Sequence, residues 1–79
     1  MADKAPDTFA TTYPNIAHFV DAIGWIEIGY GHEGYLTSFI RALDEGGMIW
    51  EGADAYPSLD AALADLEIGL GKWLDKEGL

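Results

Sequence analysis

Leu59, Leu63, Leu66, Leu70, Trp73 and Leu74 recur at steps of three and four residues. At 3.6 residues per turn that spacing collects them on one side of an α-helix. Ser58 is a natural N-cap, Asp60 suits the positive end of the helix dipole, and Lys72 and Lys76 suit the negative end. A helix with such a stripe needs a sheet or further helices to cover it, so the remainder of the chain is expected to supply them. Ala61, Ala64, Ile68 and Gly71 fall on the side away from the stripe. Small residues at this spacing admit a neighbouring backbone, but a solvated face accounts for them equally well. Gly69 and Gly71 each cost the helix about 1 kcal/mol relative to alanine, which marks either close packing or, the favoured reading, a helix weakening towards its end.

Residues 1–12, rich in Ala, Asp, Thr and Pro with Phe9 the one large apolar group, are expected to form a flexible N-terminal arm. Residues 13–79 are expected to form a single α+β domain. Pro14 opens a first helix, where its missing N–H costs nothing. Ile16, Phe19, Val20 and Ile23 give that helix one apolar stripe, and Gly24 is expected to close it in left-handed geometry. Three strands follow: Trp25–Tyr30, Tyr35–Leu43 and Met48–Glu51, separated by glycine turns at 31–34 and 44–47. Short loops make them antiparallel. The predicted order is therefore α-β-β-β-α, a three-stranded antiparallel sheet packed with two helices.

If Tyr30 faces Tyr35, then Ile26 and Ile28 lie beside Phe39 and Thr37, while Trp25, Glu27, Ser38, Ile40 and Ala42 take the reverse face. In the second hairpin Arg41 is expected opposite Trp50 or Ile49. Both faces then carry large apolar groups, and two helices cover only one. With three Trp, four Tyr and three Phe in 79 residues, an uncovered face is an interaction surface, and the open sheet edges invite a second copy. A two-fold homodimer is the expected assembly. Trp25, Tyr35, Arg41, Trp50 and Ile68 are the expected interaction residues.

Fourteen Asp and Glu against four Lys and Arg leave a net charge of −10. Arg41 is the only always-charged cation between residues 5 and 71. Such a surface repels phosphate backbones and anionic bilayers, so neither direct nucleic-acid binding nor membrane binding is expected. A basic protein is a possible partner. There are no cysteines, and Met1–Pro6 lacks the apolar stretch of a leader, so a cytoplasmic protein is expected.

Candidate chemistry is sparse. His32 and Glu33 in the first turn are the weak ligand candidates, and His18 lies apart on the first helix. No HxH, HxxE or HxxxH spacing supports a metal site, and no cofactor is expected. The Gly29–Gly34 stretch lacks the Lys and Ser or Thr of a phosphate loop and precedes a strand. Asp44, Glu45, Glu51 and Asp54 are expected to be solvated. Arg41, with Glu27 and Glu51 on flanking strands, suits an ion pair across the sheet or an anchor for a carboxylate.

The helix–three-strand–helix order resembles the double-stranded-RNA-binding domain, in topology alone. Those domains grip phosphates with a Lys-rich start of the second helix, whereas here that region reads Tyr56-Pro57-Ser58-Leu59-Asp60. The residues thus favour a non-catalytic protein-interaction module. An acidic mimic of nucleic acid that blocks a basic groove is the alternative, and a small ligand-binding protein or enzyme with a site at a dimer interface is a further one.

Overall fold

A computed structural model describes residues 8–29 and 38–79. Its elements run α1 (Thr8–Thr12), α2 (Pro14–Ala22), β1 (Trp25–Ile28), β2 (Ile40–Asp44), β3 (Gly47–Glu51) and α3 (Leu59–Glu77). The strands form one antiparallel sheet in the order β1-β2-β3. The α+β class and the three-stranded antiparallel sheet are those the sequence predicts, with one helix more. That helix falls within the expected arm. Tyr13 N–H donates to the Phe9 carbonyl at 2.7 Å, and the two rings lie 5.0 Å apart, so residues 8–12 are helical rather than loose. Residues 1–7 and 30–37 lie outside the described residues, and with them the expected first turn and the start of the expected second strand.

The long helix forms as its residues direct. Ser58 is extended and its Oγ accepts from Ala61 N–H at 3.1 Å. Asp60 occupies the first turn and Lys76 the last. Gly78, at φ +75°, ends it in the left-handed conformation that glycine adopts without a Cβ penalty. Ala62, Leu66, Leu70 and Leu74 are buried, and Leu63 and Trp73 pack partly buried beside them. Leu59 departs from the expected stripe: it is half exposed.

Register is where the structure corrects the sequence reading. Ile26 pairs with Ala42, Glu27 with Arg41 and Ile28 with Ile40, three residues from the expected alignment. An odd shift exchanges faces, so Ile40 and Ala42 join Ile26 and Ile28 instead of opposing them. In the second hairpin Arg41 faces Glu51, and Ala42 faces Trp50, with a bulge in the pairing beyond Ala42 that leaves Ile49 as the extra residue. The bulge thus sits at Ile49, away from the glycine turn. Gly47 supplies the positive φ of that turn, at +124°.

The inner face of the sheet meets α2 and α3. Ile16 and Phe19 from α2, Ile40 and Ala42 from β2, and Ala62, Leu66 and Leu70 from α3 make one core. Phe19 meets the Trp73 ring edge-on at 5.8 Å. Gly24 is held by proximity: a Cβ there would strike the Leu43 carbonyl oxygen and the Phe19 ring. Its φ is not positive, so it does not close α2 in the left-handed geometry expected of it.

Candidate functional site

Three polar arrangements and one apolar groove are the features with functional potential. The first polar arrangement is centred on Arg41. It stands on the outer face of β2 between Glu27 and Glu51, yet only 3% of its surface is exposed. Arg41 Nη2 donates to the Gly29 carbonyl at 2.6 Å and to the Ser38 carbonyl at 3.4 Å, and Nη1 reaches Gly29 O at 3.3 Å. Glu27 Oε1 lies 3.9 Å from Nε. The ion pair across the sheet is therefore present but long. The shorter contacts are to backbone carbonyls of the two residues that flank segment 30–37. Arg41 Nε and Ser38 Oγ are buried without a hydrogen bond.

The second arrangement caps α2 from another helix. Tyr13 provides no side-chain cap, and Pro14 occupies the first turn. Glu67 of α3 instead accepts from Asn15 N–H at 2.9 Å on one carboxylate oxygen and from Ile16 N–H at 3.0 Å on the other. The orphan donors of α2 are thus satisfied by a charge placed against the positive end of its dipole. The third arrangement ties the start of α3 to the β3–α3 connection. Tyr56 Oη donates to Asp65 Oδ2 at 2.6 Å and accepts from Ala53 N–H at 2.8 Å. Burial, and then the Asp65 carboxylate, raise the Tyr56 pKa above its ordinary value.

The groove opens where α1, α2, β1 and the start of α3 converge. Its volume is about 720 Å³, and its described lining includes Phe9, Ile16, Val20, Ile28, Leu59 and Leu63. Phe9, Val20, Ile28 and Leu59 are each about half exposed, which explains why Leu59 leaves the buried stripe. Among the described lining residues the one charged group is Asp21. A smaller hollow of about 330 Å³, lined by Asn15, His18, Gly71, Leu74 and Asp75 among others, lies at another part of the α2–α3 contact.

The described residues among those expected to interact, Trp25, Arg41, Trp50 and Ile68, do not all lie on one face. Trp25 is 44% exposed on the outer sheet face, where its Nε1 donates to Glu27 at 3.2 Å, and Arg41 shares that face but is buried. Trp50 is turned to the inner side, partly buried against α3 at Gly69, and this corrects its place among surface residues. Ile68, 60% exposed, lies on the solvent side of α3. Tyr35, His32 and Glu33 lie outside the described residues. Among the described residues no group of three His, Asp or Glu side chains is placed to hold a metal ion, and no helix is long and apolar enough to cross a membrane.

Glu67 and the groove are the features that residue patterns missed. Capping from 51 residues away leaves no local motif. The half-exposed groove residues are spread over three helices and a strand. Comparison with family models, with curated proteins and with solved structures found no match to this chain.

Proposed function

We propose that this chain is a small, cytoplasmic, non-catalytic protein-interaction module that receives another polypeptide, a second copy or a different protein, in its apolar groove. The observation that carries this reading is the groove itself: four large side chains from α1, α2, β1 and α3, each about half exposed, around one concavity. Exposed apolar patches rimmed by polar residues mark protein-interaction sites. The polar clusters support the same reading from the other side. Among the described residues the side-chain hydrogen bonds of Arg41 and Glu67 end on backbone atoms, and those of Tyr56 on backbone and a neighbouring carboxylate, so each has a structural use.

Light scattering over a dilution series, together with pull-down by immobilised protein, tests this. Expected is either a dimer or a captured partner that is lost when Val20 becomes Glu. A monomer whose captured proteins are unaffected by V20E would refute it.

A second reading has one observation in its favour. Arg41 is the sole Lys or Arg among the described residues from 8 to 71, and it is buried. Exposed carboxylates therefore dominate that surface, as an acidic mimic blocking a basic nucleic-acid groove requires. Capture of a nucleic-acid-binding protein that collapses between 50 mM and 500 mM salt and is indifferent to V20E would favour it.

A further inference from the structure

We propose that the groove takes a cationic, apolar-anchored segment of a different protein, and not a second copy of this chain. This rests on the docking reading above and names its partner.

Charge complementarity carries the choice. The groove floor is apolar, and Asp21 is the charged residue in its described lining. Asp60 is exposed in the first turn of α3, beside the groove residue Leu59. The nearest lysine along α3 is Lys72, thirteen residues beyond Leu59 and so about 20 Å along the helix axis. Arg41 stands on the opposite face of the sheet from the helices and is buried. The described lining therefore shows negative charge at Asp21 with no described cation in it. A segment that seats apolar side chains on Val20, Ile28 and Leu59 places its own flanking groups against Asp21. Lys or Arg there gains attraction, and Asp or Glu is repelled.

A second copy meets the opposite condition. A two-fold interface sets the same patch against itself. Groove against groove would bring Asp21 of one copy to the same acidic groove of the other, between chains that each carry −10. Like charges facing each other across an interface are costly.

The test uses the full chain and two synthetic amphipathic peptides of equal length, one of Leu and Lys and one of Leu and Glu, titrated calorimetrically at 50 mM and 300 mM salt. Expected is binding of the Leu/Lys peptide alone. Val20→Glu should raise its Kd at least tenfold although the variant is more acidic, and Asp21→Asn should raise it severalfold at low salt and less at high salt. Leu59→Glu, on a different helix, serves as an independent variant, and circular dichroism checks that both remain folded. If Val20→Glu and Leu59→Glu bind the Leu/Lys peptide as tightly as the parent, attraction is general to the acidic surface and the proposal falls. If both peptides bind equally, charge plays no part and it also falls. A parent dimer that Val20→Glu dissociates would give the groove to a second copy, overturning this proposal while upholding the docking reading. No binding of either peptide would overturn this proposal, and a monomer whose captured proteins are also unaffected by Val20→Glu would overturn the docking reading with it.

Discussion

Glu67 joins two helices through a single carboxylate. Both oxygens are engaged by backbone N–H groups at the start of α2. Glu67→Ala removes both acceptors, and the expected loss is about 1–2 kcal/mol, the range of N-cap deletions, read as a lower urea midpoint with unchanged m-value. Tyr56 gives a pH signature. Its folded pKa is raised above the ordinary 10.0, by burial first and the Asp65 carboxylate next. The folded state therefore holds the phenolic proton more tightly than the unfolded state. The stability this contributes is whole below pH 10 and is lost as pH rises through the folded value. Tyr56→Phe should flatten that alkaline decline in pH-dependent thermal melts; an unchanged slope would show the hydroxyl to be energetically idle. Arg41 contributes through the Gly29 and Ser38 carbonyls. Arg41→Ala deprives two carbonyls of a charged donor, and the expected cost is about 2–4 kcal/mol. Lysine should rescue little, since its single ammonium lacks the second nitrogen with which the guanidinium also reaches the Gly29 carbonyl.

At the scale of elements, α3 turns three differently built sectors to its neighbours. Its leucines enter the core, Glu67 and Gly71 face α2, and Gly69 lies under Trp50 of β3. The two glycines, expected to mark either close packing or a weakening helix, are sites of close approach. A Cβ on Gly69 would collide with the Trp50 indole, and one on Gly71 would sit 2.8 Å from the Asn15 side-chain nitrogen. Gly69→Ala sets about 1 kcal/mol of gained helix propensity against about 1–3 kcal/mol of overpacking, so a net loss is expected in chemical denaturation. In a Trp50→Leu background the collision disappears and the same substitution should become neutral or stabilising. Additive effects in that double-mutant cycle would exclude the contact as the cause. The sheet teaches a related lesson. Ile26, Ile28, Ile40 and Ala42 are legible as strand residues, but alternation alone leaves register free, because both faces contain large apolar groups. The pairing that forms is the one that buries Ile40 and Ala42 completely beneath α2 and α3.

For the molecule as a whole, two layers leave the outer sheet face without a helix among the described residues. That face is less apolar than its sequence suggests. Trp25 and Met48 are exposed there, but Glu27 and Glu51 stand among them on either side of the buried Arg41. The larger apolar concavity is at the α1–α2–β1–α3 junction. Binding of the Leu/Lys peptide should therefore be more sensitive to Val20→Glu than to Trp25→Glu. Peptide titration of the two variants, side by side, checks this; a stronger effect at Trp25 would move the interface to the sheet.

The sequence by itself determined the α+β class, the long helix with its Ser58 cap, the acidic surface and the second turn with its glycine, because each follows from periodicity, capping chemistry or charge within a few residues of chain. Trp25 and Arg41 were legible as unusual residues, but their fates differ: one is exposed and the other buried. Register, the bulge at Ile49, the inward turn of Trp50, the capping of α2 by Glu67 and the groove were decided only by tertiary structure. Each depends on which distant segment supplies the neighbouring atoms, and that is fixed by the joint burial of all three strands and two helices around one core rather than by any local preference.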